Sequence, residues 1–259
     1  MGTEWRMTRE PAPPRHRLDP SGAGGKMGGA EPAPSNRMIV ATYDAIAPWY
    51  DRLVGPFHGR TCELAIALAD IDPGDRVVEL GTGPGRGAVA LADRVGPEGT
   101  VIGIDAAPGM LDRARRRIGR WGVEPWTDLL GGDARSPPIR DGTADIVWLE
   151  DTLELFTQVE MEAVLRAARR MLRPDGQLVV LTMEREGRAD TPFVRAYDSL
   201  WHSIPGFERV GCRPVYARRT IEGCGFDVVH ERQTRRMRIW PLTIYVATPA
   251  DSIDHDESE

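Results

Sequence analysis

The chain has 259 residues, 41% hydrophobic and 28% charged, which are the proportions of one soluble globular domain with room for tails. A formal net charge of -6 argues against a general electrostatic affinity for nucleic acid or anionic membranes, and no stretch reaches the roughly 18 to 20 continuous apolar residues of a membrane span. Cys62, Cys212 and Cys224 fit no short metal-ligand spacing, so the expectation is a reducing cytoplasm and no structural metal; the N-terminus has no apolar signal core.

Residues 1–37 are rich in Pro, Gly, Ala and Arg without an apolar period, and are read as a disordered tail. From there the pattern alternates. "DRVVELG" (75–81) reads as a buried strand, and "GRGAVALADRVG" (85–96) as a helix closed by Gly96. "TVIGIDA" (100–106) is a second strand. "APGMLDRARRRIG" (107–119) follows as a helix, with Pro108 near its first position and Gly119 at its end. "PWTDLLGG" and "ADIVWLED" make strands three and four. "QVEMEAVLRAARRMLR" (158–173) is a helix with Val164, Ala168 and Met171 on one face, stopped by the turn "RPDG" before strand five, "GQLVVLTME". A helix ending at Gly223, then "FDVVHER" and "MRIWPLTIYVA" as two more strands, complete the domain at about residue 249. Pro241 removes a ladder donor and predicts a bulge or an edge there. The last residues, 250–259, form an acidic tail.

Strands alternating with helices predict a doubly wound α/β fold with a parallel sheet buried on both faces. Ligands in such sheets bind beyond the carboxyl ends of the strands, where strand order reverses. "VVELGTGPGRG" (77–87) sits at such an end, and its glycines predict a close approach to the backbone by a ligand. Two cofactors compete for it. Gly83, Gly85 and Ala88 fit G-x-G-x-x-G/A, with Asp105 following Gly85 by 20 residues, as in a nicotinamide-dependent oxidoreductase. A hydride-transfer Tyr-x-x-x-Lys pair has no candidate, because Lys26 in the tail is the only lysine.

The second reading starts at Glu79 and takes Gly81, Gly83 and Gly85 as E-x-G-x-G-x-G. In it the chain resembles the class I S-adenosylmethionine-dependent methyltransferases from about residue 43 to 247. "VVELGTGPGRG", "VIGIDAAPGMLDRARRR", "GGDARSPPIRDGTADIVWLED" and "RRMLRPDGQLVVLTMER" follow the family's motifs in order. The resemblance implies a seven-stranded, mostly parallel Rossmann-like sheet with an antiparallel last strand, and S-adenosylmethionine as cofactor. It places Gly81, Thr82, Gly83 and Gly85 at the methionine end, Asp105 on the ribose hydroxyls, and Ala106 and Met110 against adenine. It places Asp133 and Ala134 at the adenine's amino edge, and Glu150 with Asp151 at the methyl and the substrate mouth. "YDAIAPWYDRL" (43–53) resembles the N-terminal helix of the menaquinone and ubiquinone biosynthesis methyltransferases, in which Tyr43 and Tyr50 would lie over the cofactor. A plain amphipathic helix, with Ile46, Tyr50 and Leu53 packed on the sheet, is compatible with this.

The acceptor is the open part. Residues 185–214 occupy the place of an acceptor-binding insert, and Phe193, Val194, Tyr197, Leu200, Trp201 and Ile204 give it an apolar, aromatic face. That face suits a quinone-, lipid- or polyketide-like small molecule, and equally a helix packed on the core. His202 is the candidate general base, with His58 a second choice, and Cys212 reads as structural. After strand four the chain reads "WLEDTLELF", which departs from the quinone group's signature, and it lacks the Asn/Asp-Pro-Pro-aromatic motif of base-amine methylation. The basic run "RARRR" (113–117) reads as a solvated helix face, so nucleic acid is not an expected substrate. A non-catalytic cofactor-binding protein remains a further alternative.

Overall fold

Val77 belongs to one apolar layer and Val78 and Leu80 to the other, all fully buried, because successive strand residues point to opposite faces. The same alternation repeats in the fourth and fifth strands, so the sheet is buried on both sides. In this computed structural model, residues 36–53, 61–185, 191–203, 213–236 and 240–250 are described. The strands are β1 (Arg76–Leu80), β2 (Thr100–Asp105), β3 (Thr127–Gly131), β4 (Ala144–Glu150), β5 (Leu172–Thr182), β6 (Phe226–Arg236) and β7 (Trp240–Pro249). The helices are α1 (Asn36–Ile46), α2 (Tyr50–Leu53), α3 (Thr61–Leu68), α4 (Arg86–Val95), α5 (Pro108–Trp121), α6 (Gln158–Met171), α7 (Pro192–Ser203) and α8 (Ala217–Gly223).

Strand order is β3-β2-β1-β4-β5-β7-β6, parallel except for β7, which runs antiparallel to both β5 and β6. The expected seven-stranded doubly wound sheet is therefore present. Helices α6 and α8 bury Val164, Leu165, Met171 and Ile221 on one face, while α3 and α4 bury Ala65, Leu91, Ala92 and Val95 on the other. The chain moves outward from β1 to β2 and β3, then returns to the other side of β1 as β4. The reversal puts the carboxyl ends of β1, β2 and β4 around one crevice.

Three local expectations change, while the edge expected at Pro241 is present. Helix α5 runs past Gly119 to Trp121 and is closed by Gly122 at φ 71°, because Ile118 still packs on the core and the left-handed turn comes only after it. "RPDG" is not a free turn: β5 starts at Leu172, which pairs with Ala144, and the ladder resumes at Gln177 opposite Ile146, so residues 173–176 bulge within the strand. Pro241 lies in a strand flanked on both sides, yet β5 reaches only Thr243, so at Pro241 the strand has β6 alone as neighbour. The N-terminal helices pack against Ala107 and Met110 at the start of α5, through Val40, Tyr43, Ile46 and Tyr50, rather than on the sheet.

Helix α6 shows how local sequence sets an element's start. Thr157 accepts from the Glu160 N–H at 3.3 Å, and the Glu160 carboxylate accepts from the Thr157 N–H at 3.0 Å, a complete capping box. Thr157→Ala is expected to cost about 1 kcal/mol. That corresponds to a fall of roughly 2–4 °C in the thermal midpoint for a domain of this size. An unchanged midpoint in a calorimetric scan would remove the box from the account.

Candidate active site

Gly81, Gly83 and Gly85 all have positive φ, at 75°, 51° and 76°, so the loop after β1 takes a course closed to most other residues. Their surroundings differ. A Cβ on Gly81 would collide with Thr152 at the end of β4, and one on Gly85 would stand 2.9 Å from the Ala114 backbone of α5. Beside Gly83 the nearest atom is the Gly81 carbonyl at 4.0 Å. Two of the three glycines thus answer to the protein's own packing, and Gly83 alone offers its space to a ligand. The lack of a side chain at Gly81 and Gly85 is explained by packing alone.

Asp105, last residue of β2, reaches across to this loop. Its Oδ2 accepts the Gly83 N–H at 2.7 Å and its Oδ1 accepts the Ala107 N–H at 2.8 Å. Burial raises its pKa, against the pull of these backbone donors and that of Ala106. One side chain therefore fixes both the glycine loop and the entry to α5. The Asp105 carbonyl also accepts from the Gly132 N–H at 3.0 Å, which brings Asp133 and the buried Ala134 to the same end of the sheet.

Glu79 lies beneath the loop, 3% exposed, with Thr82 donating to its Oε2 and the Ala88 N–H also bonded to it. A Cβ on Gly87 would overlap Glu79 Oε1 and come within 3.6 Å of Glu150 Oε2, so the two carboxylates converge beside the first turn of α4. Burial, together with the charges of Glu150 and Asp105, pushes the Glu79 carboxyl up to about 8, while the Thr82 bond opposes the shift. The Cys62 thiol from α3 bonds Glu150; burial and that carboxylate raise its pKa strongly. Asp151, next after β4, holds φ 51°, the one non-glycine residue with positive φ among those described. Such a conformation costs free energy unless the surroundings enforce it, and it falls at the crevice.

Residues 77–176 match the methyltransferase domain family. The 2-phytyl-1,4-naphtoquinone methyltransferase of Trichormus variabilis is 30% identical over 186 residues, covering 69% of this chain and 79% of that protein. This chain belongs to the class I S-adenosylmethionine-dependent methyltransferases. The ubiquinone/menaquinone biosynthesis C-methyltransferase of Xanthomonas campestris is 36% identical over 146 residues, covering 56% of this chain and 55% of that protein. A solved S-adenosylmethionine-dependent methyltransferase from Aquifex aeolicus shares the fold, with a TM-score of 0.56 at 20% identity, covering 81% of this chain and 98% of that one. The chain spans about half the length of several curated relatives it matches.

Membership in the methyltransferases replaces the dinucleotide reading of Gly83, Gly85 and Ala88. The physical reason is visible at the second position, where Gly85 closes onto α5 instead of opening toward a pyrophosphate. Glu79, Gly81, Thr82, Gly83, Gly85, Asp105, Ala106 and Glu150 lie together at the carboxyl ends of β1, β2 and β4. Met110, 1% exposed, lies apart in the small cluster with Ala107, Tyr43 and Tyr50, and the two tyrosine rings are 6.2 Å apart. Asp133 is gripped by Arg135, which holds its carboxyl below the usual range and also bonds Glu160 at 2.5 Å.

In α7, Val194 and Tyr197 are buried and Phe193 stacks on Tyr197 at 6.1 Å, whereas Leu200 is exposed. Arg185 at the end of β5 holds α7 through a two-pronged pair with Asp198, at 2.7 and 3.1 Å. The side chains of Trp201 and His202, and residues Ile204, His58 and Cys212, lie outside the described residues. So do 1–35 and 251–259. Among the described residues no helix is long and apolar enough to cross a membrane.

Sequence reasoning missed two sets of partners. Thr152 and Cys62 carry no motif, and only the fold brings them to the glycine loop and to Glu150. Asp44, Asp51, Arg86, Arg113 and Arg117 were in view inside quoted stretches. The "RARRR" run is not a uniformly solvated face: Arg113 and Arg117, four apart and so on one side of α5, both bind Asp51.

Proposed function

We propose that the chain transfers a methyl group from S-adenosylmethionine to an apolar or aromatic small-molecule acceptor, a quinol-like ring foremost. The observation that carries this reading is Asp105 joined to the Gly83 N–H, an acid at the end of β2 closing on the one loop glycine with open space beside it. In this reading Asp105 accepts from the ribose hydroxyls, and Gly81, Thr82, Gly83 and Gly85 line the methionine end over Glu79. Ala106 faces the adenine, with Asp133 and Ala134 at its amino edge, while the buried Met110, against the expectation, backs this region from the cluster with Ala107. Tyr50 lies over the cofactor, and Glu150 looks toward the methyl.

Bound there, the cofactor supplies an electrophilic methyl group on a sulfonium. The chain's contribution is placement, since holding the acceptor atom in line with the methyl supplies much of the acceleration in a displacement of this kind. A base is required only where the acceptor atom carries a proton that must leave, and His202 of α7 is the residue assigned to that task. Residues 185–214 receive the acceptor. The stacked Phe193 and Tyr197 support an aromatic one, and the quinone methyltransferases among the relatives support a ring of that class.

The test is incubation of the purified protein with methyl-labelled S-adenosylmethionine and a cell extract, followed by partition between organic and aqueous phases. Label in the organic phase is expected. Label confined to the aqueous phase would overturn the apolar acceptor, and cofactor binding without transfer to any acceptor would favour a non-catalytic cofactor-binding role.

A further inference from the structure

Helices α4 and α5 frame the glycine loop, and neither caps itself. Each lacks an acidic residue in its first turn and a side-chain cap, and α4 even begins with Arg86, the wrong sign for the positive end of a helix dipole. Glu79 accepts the Ala88 N–H of α4 and Asp105 the Ala107 N–H at the entry to α5, and the N-terminal segment adds two further carboxylates. Asp44 of α1 accepts the Gly109 N–H in the first turn of α5 at 2.6 Å, so close that a Cβ on Gly109 would stand 2.8 Å from its oxygen. Asp51 of α2 binds three guanidinium groups: Arg86 at 2.9 Å, Arg113 at 2.5 Å and Arg117 at 2.7 Å. Those three hold its carboxyl well below the usual range, against the effect of burial.

Two of the arginines also bridge. Arg113 donates to the Pro48 carbonyl at 3.1 Å, on the N-terminal side, and Arg117 donates to the Pro84 carbonyl, inside the glycine loop. A continuous path therefore runs from α2 through Asp51 and Arg117 to the loop between Gly83 and Gly85. Without Asp51, three guanidinium groups would face one another with no counter-charge between them.

We propose that Asp44, capping α5 in trans, and Asp51, clamping Arg86 of α4 together with Arg113 and Arg117 of α5, make docking of the N-terminal helices set the shape of the cofactor loop, with Asp51 acting through Arg117 as a positioning residue. The proposal rests on the loop being the cofactor site. It makes the N-terminal segment a condition for cofactor binding, and it makes that binding sensitive to salt, because the ion pairs that add to the apolar docking contacts are partly exposed.

The test compares wild type, Asp51→Asn and Arg117→Gln by hydrogen exchange and by calorimetric titration with S-adenosylhomocysteine. Asp51→Asn should raise exchange in residues 36–53 and 83–89 while β1, β4 and β5 stay protected. Affinity should fall about tenfold or more, as for loss of a charge-assisted contact network. Arg117→Gln leaves Asp51 with two arginines, so residues 36–53 should remain protected while 83–89 loosen and affinity still falls. Asp51→Glu should recover part of the loss. Unchanged exchange at 83–89 in both variants, or unchanged affinity for S-adenosylhomocysteine, would overturn the coupling. A wild type that binds no S-adenosylhomocysteine overturns the cofactor reading alone, since the exchange comparison needs no ligand.

Discussion

Asp105→Ala is expected to weaken S-adenosylhomocysteine binding by roughly 10- to 150-fold, the equivalent of a charged acceptor contributing about 1.5–3 kcal/mol. The structure adds a second reason for the loss beyond the proposed ribose contact. Both carboxylate oxygens already accept backbone donors, Gly83 N–H and Ala107 N–H, so the alanine variant also frees the glycine loop and the start of α5. Asp105→Asn separates the two roles. Its amide oxygen can keep one backbone bond, so the loop should hold better than with alanine while the charge is gone. Far-ultraviolet dichroism should be unchanged in both variants, because the β2 ladder does not use the side chain. Titration giving wild-type affinity for Asp105→Ala would sink the site assignment.

Glu79→Gln is expected to make the fold more stable than wild type in mildly alkaline solution. The carboxyl titrates near 4.5 when unfolded and near about 8 in the folded chain. Between those values the folded state holds a proton that the unfolded state has released, so stability falls as pH rises, by about 1.4 kcal/mol per unit while the difference lasts. The penalty is absent below the lower value and complete above the upper one, on the order of 5 kcal/mol in all. Glutamine is neutral throughout and its oxygen can still accept from Thr82 or the Ala88 N–H. The raised pKa values of Asp75 and Asp105 act in the same direction; pairing variant with wild type at each pH cancels that of Asp75, while the coupling of Asp105 to Glu79 is part of the difference measured. Denaturant titrations at pH 5 and pH 9 should show the variant gaining on wild type between the two. Parallel curves would mean that Glu79 is ionised in the folded state at neutral pH.

The parallel sheet was legible because its strands are apolar runs with no polar face, and because Gly96 and Pro108 mark helix ends by local chemistry. The proximity of the glycine loop to Asp105 was legible because both lie at the carboxyl ends of neighbouring parallel strands. What a one-dimensional reading could not supply was the far side of each contact. Gly119 looked like a terminator, yet Ile118 has to reach the core before α5 can end, and only the packed structure reveals that. "RPDG" looked like a turn because its composition is that of a turn; the bulge exists since Leu172 and Gln177 both have partners on β4. The arginines of α5 looked solvated because the acid that binds them lies more than 60 residues earlier in the chain.

The sheet order also has a consequence for the chain as it is being made. Among the described strands β1 is synthesised first, and it ends at the interior of the sheet, which then grows outward on one side to β3 and on the other to β6. Helices α1 and α2 emerge before β1, but their docking partners on α5 arrive only when residues 108–121 have been translated. The late β6–β7 hairpin is what covers the flank of β5, where Leu178, Val179, Val180 and Leu181 are fully buried in the finished fold. Until β7 is delivered, that row of unpaired backbone groups beside apolar side chains is an open edge of the kind that recruits other chains, and the interval before its arrival is when a nascent molecule is most exposed to aggregation.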